Sequence, residues 1–262
     1  MTTNPLEDWN PETYARFRGF RLRPALDLLA QVPRLPSGDV VDLGCGAGAV
    51  GPTLATQFGR PPIGIDSSPA MLAEARSTRA YGALRKEDAS HWQPDRPPGL
   101  IFSNALCHWL PDHDALFPRL ARVLAPGGTL AVQMPRQYGA PSHALLRELA
   151  VRLYPERFDF ADWSAPVGEP EWYHQLLSTL GDLQVWETEY LQHLPPARAQ
   201  HPVRAFTAST AMRPFLAKLA TDEVPAFCAA YDVALAEAYP LAADDSVLMP
   251  FRRLFFVLTT EG

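Results

Sequence analysis

The sequence predicts an α/β fold in which a doubly wound parallel sheet carries helices on both faces. Between about residues 38 and 135, apolar strand-like runs alternate with amphipathic helical segments. A glycine-rich loop directly follows the first of these runs. The composition, with 47% hydrophobic and 20% charged residues in 262, is that of an ordinary globular protein. Strands separated by helices run parallel and are joined by right-handed crossovers, which gives the predicted sheet.

The first half of the chain contains five predicted strands and the helices between them. A helix follows the glycine loop and continues through Phe58. Pro69 suits the first turn of another helix, with Ser67 or Ser68 as its cap. In a third helix, 114–124, apolar residues recur at helical spacing. The predicted strands are 40–43, 62–66, 83–88, 100–104 and 129–134.

The second half of the chain lacks this regular alternation. We expect helices at 142–154, at 171–180 and within 203–239, and strands at 183–194 and 247–259. The extra helices predict a discontinuous helical lid that interrupts the core domain. The lid is expected to comprise 1–36, 136–168 and 195–245, and the core 37–135, 169–194 and 246–262.

Composition and charge exclude several classes of protein. The net charge of −6 argues against a nucleic-acid binder, which usually presents a basic face. No secretory signal and no apolar run of membrane-spanning length is visible, so we expect a cytoplasmic protein that does not act at a membrane. Three scattered cysteines are too few for a disulfide framework or a zinc site, and no metal is expected.

The glycine loop that begins at Gly44 carries the most information about function. The spacing Gly46-x-Gly48-x-x-Gly51 matches the dinucleotide fingerprint, so a nicotinamide or flavin enzyme must be considered. Asp42, at the end of the preceding strand, argues against it because a carboxylate there would repel a pyrophosphate. It would suit a ligand with an ammonium group and no phosphate, which describes S-adenosylmethionine.

Further polar residues follow the next strands along the chain. Asp66 lies 22 residues after Gly44, where an acid accepts hydrogen bonds from ribose hydroxyls; the alternative is a helix-capping acid. Asp88 is placed to accept a hydrogen bond from an adenine amino group, or it is a turn acid. His108 and Trp109 follow the fourth strand at the ligand-binding edge of the sheet, although an aromatic there is often only packing.

These motifs resemble class I methyltransferases and, more closely, the trans-aconitate 2-methyltransferase family. The glycine loop and Asp66 are generic to the class, whereas the stretches from Trp9 to Tyr14, Gln133-Met134-Pro135 and Arg253-Leu254-Phe255 are more specific to the family. The matching stretches include Asp8-Trp9-Asn10-Pro11, Val41-Asp42-Leu43-Gly44-Cys45-Gly46, Gly64-Ile65-Asp66-Ser67-Ser68-Pro69-Ala70-Met71, Trp92-Gln93-Pro94, Trp109-Leu110-Pro111-Asp112-His113, Gln133-Met134-Pro135, Arg213-Pro214 and Arg253-Leu254-Phe255.

The resemblance implies a Rossmann-like seven-stranded sheet and methyl transfer from S-adenosylmethionine to a carboxylate of trans-aconitate, giving a monomethyl ester and S-adenosylhomocysteine. A carboxylate is already ionised at pH 7, so no catalytic general base is required. Arginine suits such a substrate because its planar fork binds carboxylates bidentately. The residues expected at the cofactor are Asp42, Gly44, Cys45, Gly46, Gly48, Asp66, Ser67, Met71, Asp88, Ala89 and Asn104. Those expected at the substrate are Arg21, Gln133, Arg213 and Arg253, with Trp9, Tyr14, His108 and Trp109 as pocket candidates.

The sequence departs from the family pattern at Gly99, His108 and Arg136, where such proteins usually carry an acid, a glutamine and a small or acidic polar residue. The last two are expected near the pocket and bear on which acid is bound. Two alternatives stay open: a carboxyl methyltransferase acting on malonyl-acyl carrier protein, and a non-catalytic protein that binds S-adenosylmethionine. The expected partner is a small polycarboxylate, and the oligomeric state is not predicted.

Overall fold

The computed structural model describes the chain from residue 18 to residue 262, with side chains from residue 22 onward. Trp9 and Tyr14 lie outside the described residues, and so does the side chain of Arg21. The described chain divides into two compact units. The larger comprises Arg18–Pro135, Pro166–Thr188 and Arg253–Gly262, and the smaller comprises Arg136–Ala165 and Glu189–Arg252.

The larger unit contains the predicted doubly wound sheet. Its strands lie in the order β3-β2-β1-β4-β5-β7-β6, with β1 to β5 parallel and β7 antiparallel to β5. Strands β6 and β7 continue past the unit boundaries, which fall after Thr188 and after Arg252. The strands are β1 (Val40–Leu43), β2 (Ile63–Asp66), β3 (Ala83–Lys86), β4 (Leu100–Asn104), β5 (Thr129–Pro135), β6 (Asp182–Leu194) and β7 (Val247–Thr259).

Helices of the larger unit begin and end where local sequence signals predict. Helix α3 begins with Pro69 in its first turn, and the Ser68 side chain caps it by accepting from the Met71 N–H at 3.3 Å. Helix α2 ends at Gly59, whose φ of 62° is the left-handed conformation that favours glycine. The helices are α1 (Arg18–Leu29), α2 (Gly51–Phe58), α3 (Pro69–Ser77), α4 (His113–Arg122) and α6 (Pro170–Leu177).

The position of helix α1 corrects the predicted boundary between the lid segment 1–36 and the core. The described part of the expected lid segment 1–36 lies in the larger unit, where α1 packs against β5. The reason is an apolar face, since Ala25, Leu28 and Leu29 are almost completely buried. Burial of such a face against the sheet stabilises the core, so residues from 18 onward belong to it.

The smaller unit is built on helix packing. Helix α5 (Pro141–Leu153) packs against α9 (Val224–Ala238), with α7 (Pro202–Thr207) and α8 (Arg213–Leu216) between them in the chain. The buried Tyr231 hydroxyl donates to the Ser142 carbonyl at 2.6 Å. The Ser142 N–H, which has no partner within α5, donates to the Tyr239 hydroxyl at 3.1 Å. Within residues 18–262, no helix is both long enough and apolar enough to cross a membrane.

Candidate functional site

The glycine loop is attached to the carboxyl end of the neighbouring strand. The N–H groups of Gly44 and Cys45 both donate to the Ile65 carbonyl of β2, at 2.8 and 3.0 Å. The Gly46 N–H donates to Asp66 Oδ2 at 2.9 Å. Gly44, Gly46 and Gly48 have φ angles of 78°, 51° and 79°, which other residues rarely adopt. The loop therefore holds a fixed shape at the edge of the sheet where ligands bind in this architecture.

The loop glycines differ in what surrounds them. A Cβ at Gly46 would meet no atom of the described residues within 4 Å, so this part of the chain leaves the backbone open to a ligand there. A Cβ at Gly44 would lie 2.6 Å from the Leu106 side chain, and one at Gly51 would lie 2.5 Å from the Tyr81 ring. Gly44 and Gly51 are thus required by contacts within the protein, whereas Gly46 leaves room for a bound molecule.

Asp42 lies at the end of β1 and is only 3% exposed. Its Oδ2 accepts a 2.6 Å hydrogen bond from the Tyr81 hydroxyl. Burial raises the pKa of Asp42 to about 7, with the Asp66 charge adding to the rise and the bond from Tyr81 opposing it. Burial also raises the pKa of the Cys45 thiol, which therefore stays protonated. The expected contact of Asp42 with an ammonium group stays a prediction.

Asp66 organises the loop and the start of α3. Besides the bond from Gly46, its Oδ1 accepts from the Ser68 N–H at 2.9 Å. An ionised carboxylate has about four lone-pair positions, so each oxygen can accept one further hydrogen bond. Asp66 is half-buried, and the expected contact of its carboxylate with ribose hydroxyls stays a prediction. Ser67 beside it is exposed, and Met71 of α3 is buried.

The turn after β3 carries Asp88 and is held by an arginine for which no sequence motif predicts a role. Asp88 Oδ1 accepts from the N–H and hydroxyl of Ser90 at 2.9 and 2.7 Å, and these bonds lower its pKa. Arg119 of α4 donates to the carbonyls of Trp92, Ser90 and Ala89 at 2.6, 2.9 and 3.2 Å. The exposed Asp88 carboxylate is thereby fixed in a defined turn and stays ionised at neutral pH.

A polar group lies where β4, β5 and β7 meet. Asn104 is opposite Gln133 in the register of β4 and β5, and Pro135 is opposite Arg253 in that of β5 and β7. Gln133 is completely buried and Arg253 is 3% exposed. Arg253 Nη1 donates to Gln133 Oε1 at 3.4 Å. Among residues 18–262, Gln133 Nε2 and Asn104 Oδ1 have no hydrogen-bond partner, although both atoms are buried.

His108 and Trp109 lie in a single 3₁₀ turn, Cys107–Trp109, that is anchored from α4. His113 Nε2 bonds to the Cys107 carbonyl at 2.9 Å, and its Nδ1 bonds to the Tyr173 hydroxyl at 2.8 Å. The rings of His108 and Trp109 are 4.7 Å apart, and Trp109 is 53% exposed. Burial lowers the pKa of His113, so this histidine is a neutral structural group.

The remaining predicted positions are distributed over both units. Arg213 is half-buried at the first residue of α8, in the smaller unit, and Arg136 is the first residue of that unit. Gly99 is buried, and a Cβ there would lie 3.0 Å from the Pro36 carbonyl. Close backbone packing at the amino end of β4 therefore explains why this chain has glycine instead of an acid.

Known proteins with this fold define the class. YcgJ from Bacillus subtilis superposes with a TM-score of 0.56 at 16% identity, covering 92% of this chain and 99% of that one. A phosphoethanolamine N-methyltransferase from Haemonchus contortus gives a TM-score of 0.53 at 20% identity, covering 92% and 53% of the two chains. Residues 40–128 match the family described as a methyltransferase domain. Fold, loop and family together make the protein a class I S-adenosylmethionine-dependent methyltransferase.

Proteins related in sequence narrow the class to one family. A trans-aconitate 2-methyltransferase from Azoarcus sp. is 41% identical, covering 95% of this chain and 98% of its own length. One from Methylobacterium nodulans is 42% identical, covering 96% and 98%. The chain belongs to the trans-aconitate 2-methyltransferase family. The family identified from the sequence motifs is thereby confirmed.

Proposed function

We propose that this enzyme methylates a carboxylate of trans-aconitate, forming a monomethyl ester. The observation that supports this best is the buried pair of Arg253 and Gln133 at the ligand-binding edge of the sheet. A guanidinium is a planar fork of N–H donors that suits a carboxylate, and the Gln133 carbonyl accepts from Nη1 of Arg253. Gln133 Nε2 adds a neutral donor beside it.

The loop and its neighbours fit S-adenosylmethionine. Among the described residues, no atom fills the space over the Gly46 backbone, and the buried acceptor Asn104 Oδ1 has no partner. Asp66 would accept from the ribose hydroxyls and Asp88 from the adenine amino group. Both carboxylates suit a ligand without phosphates. The roles of Gly44, Cys45, Gly48, Ser67, Met71 and Ala89 beside the cofactor rest on the resemblance alone.

Bound S-adenosylmethionine supplies a methyl group on a sulfonium, and its transfer to a carboxylate forms a C–O bond and breaks a C–S bond without releasing a proton. The chain's residues therefore need to orient the acid and exclude water; none has to accept a proton. Arg253 and Gln133 would hold a carboxylate in line with the methyl group, an alignment that can contribute roughly 7–11 kcal/mol. His108 and Trp109 would form walls of the pocket.

The other predicted substrate and pocket residues are part of the same proposal. Arg213 and Arg21 are proposed to bind further carboxylates, and Trp9 and Tyr14 to exclude water, on the resemblance to the family. The proposed partner is thus a small polycarboxylate, and the proposed location of the reaction is the cytoplasm.

Product analysis tests the proposal. The enzyme is incubated with methyl-labelled S-adenosylmethionine and, separately, trans-aconitate, other free polycarboxylic acids and malonyl-acyl carrier protein. We expect a base-labile labelled ester in the small-molecule fraction, formed fastest from trans-aconitate. Label in the carrier protein would favour the malonyl alternative. Cofactor binding without labelled product from any acid would favour a non-catalytic protein. Asp66→Ala, which removes the proposed ribose contacts, is the control for background transfer.

A further inference from the structure

Tyr81 precedes β3 and received no role from the sequence. Its ring occupies a slot that three glycines provide. A Cβ at Gly51 would lie 2.5 Å from the ring, one at Gly64 would lie 2.9 Å away, and one at Gly48 would lie 3.0 Å away. Real Cβ atoms do not approach a neighbour as closely as 2.5 Å, so the ring must move if Gly51 gains a side chain. The glycines of the dinucleotide-like pattern after Gly46 therefore accommodate an aromatic ring of the protein.

The hydroxyl of Tyr81 reaches the carboxylate beneath the loop. It donates to Asp42 Oδ2 at 2.6 Å, a short distance typical of a charge-assisted bond. The titratable groups that face Asp42 are Tyr81, Asp66 and the Cys45 thiol. Burial and the Asp42 charge raise the pKa of Tyr81, so this hydroxyl stays protonated and remains the donor. Asp66 and Cys45 provide no positive charge that would replace it.

We propose that Tyr81 is a positioning residue for the cofactor: its ring fixes the glycine loop, and its hydroxyl orients Asp42 beneath that loop. The proposal rests on the proposed binding of S-adenosylmethionine by this loop. The negative charge of Asp42 would then attract the cationic ligand from below. Because Asp42 is buried and has a pKa of about 7, loss of the Tyr81 bond would leave its carboxyl neutral over more of the neutral pH range.

Tyr81→Phe tests this role because it keeps the ring and removes only the hydroxyl. The dissociation constant of S-adenosylmethionine is measured by calorimetry from pH 6.5 to 9 for variant and wild type. Dividing the dissociation constant of the variant by that of the wild type removes the effect of the ligand's own titration, because it is the same for both proteins. If the variant raises the pKa of Asp42 by about one unit, which changes its ionisation equilibrium tenfold, we expect a ratio of roughly eight at pH 6.5. At pH 9 the ratio should approach one, because Asp42 is then ionised in both proteins.

Tyr231→Phe is the matched control. Tyr231 is buried, whereas Tyr81 is half-buried, and the Tyr231 hydroxyl likewise donates one bond of 2.6 Å, here to the Ser142 carbonyl in the smaller unit. We expect it to lower the melting temperature while leaving the affinity ratio near one at every pH. A pH-independent ratio for Tyr81→Phe would overturn the proposal, because a residue with only a packing role would weaken binding equally across the range.

A double-mutant cycle adds a second readout. If Tyr81 acts through Asp42, then Tyr81→Phe should weaken binding less than about twofold in an Asp42→Asn background. If Tyr81→Phe reduced the affinity as much in the Asp42→Asn background as in the wild type, the coupling between Tyr81 and Asp42 would be contradicted. Tyr81→Ala, which also vacates the slot, should weaken binding at every pH and by more than the Phe variant. These measurements need no methyl acceptor, so they are independent of the acid that the enzyme methylates. Failure of the wild type to bind the cofactor would overturn both proposals.

Discussion

Asp66 and Gly46 are joined by a 2.9 Å hydrogen bond from the Gly46 N–H to Asp66 Oδ2, across 20 residues of sequence. The same carboxylate also accepts from Ser68 at the start of α3. One side chain thus ties the glycine loop, the end of β2 and the following helix together. We therefore expect cofactor affinity and loop stability to depend on the same carboxylate.

The first prediction concerns Asp66→Ala. We expect weaker binding of S-adenosylmethionine by roughly 1.5–3 kcal/mol, the usual contribution of hydrogen bonds to a charged group. We also expect a lower melting temperature without ligand, since the Gly46 and Ser68 N–H groups each lose an acceptor. Calorimetry and thermal denaturation measure the two effects. Asp159→Ala is the control, because its Oδ1 accepts one backbone N–H in an exposed turn of the smaller unit. Unchanged cofactor affinity in Asp66→Ala would contradict the assignment of the site.

The second prediction concerns the charge of Asp42. Its pKa is raised to about 7 in the folded protein from 3.8, so the folded state binds the proton more tightly than the unfolded state. The free energy of unfolding therefore decreases as pH rises from about 4 through 7. Asp42→Asn removes this dependence and should stabilise the unliganded protein above pH 7, by at most about 4 kcal/mol for the full shift. Urea denaturation from pH 5 to 9 should show the gain growing with pH.

The same variant should weaken binding of S-adenosylmethionine, since the negative charge beneath the loop is lost. A gain in stability together with a loss of affinity would identify Asp42 as a functional charge. If Asn at this position left the cofactor affinity unchanged above pH 8, electrostatic attraction of the ligand by Asp42 would be excluded.

The third prediction concerns the arginines proposed to bind carboxylates. Arg253→Met and Arg213→Met should each raise the KM for the acid and leave cofactor affinity unchanged. Arg→Lys should restore KM only partly, because an ammonium cannot reproduce bidentate geometry. Arg252→Met is the control: Arg252 is exposed, and its nearest acid is Glu189 at 3.9 Å. If both the Arg253 and the Arg213 variants had wild-type kinetics, the substrate acid would have to bind elsewhere.

The fourth prediction concerns His108 and pH. With a carboxylate acceptor, kcat at saturating cofactor should stay level between about pH 6 and 8.5, because unperturbed carboxylates titrate near 4. An essential histidine base would instead lower kcat below about pH 6.5. Titration of Asp42 should appear in the KM for S-adenosylmethionine. His108→Gln should accordingly retain most activity. A thousandfold drop in its kcat would indicate a hydroxyl or amine acceptor that needs a base.

Local signals in the sequence predicted most of the sheet and its helix starts. Ser68 and Pro69 act within a few residues of their own position, and the tight turn that the loop glycines allow is also local, so these roles are visible in the sequence. Tyr81 and Arg119 act over 39 and about 30 residues, and neither lies in a recognisable motif. Their partners are a buried carboxylate and backbone carbonyls, and only the fold brings these within reach. Helix α1 was misassigned because its apolar face gives no indication of which unit buries it.

The slot around the Tyr81 ring restricts how this protein can evolve. A methyl group at Gly51 collides with the ring, whereas a smaller residue at position 81 would leave room for it. The sign of a mutation at either position thus depends on the residue at the other, which is sign epistasis. A side chain at Gly51 can therefore be accommodated only where the tyrosine ring has been replaced. Substitutions in the glycine loop are therefore restricted as long as Tyr81 is retained.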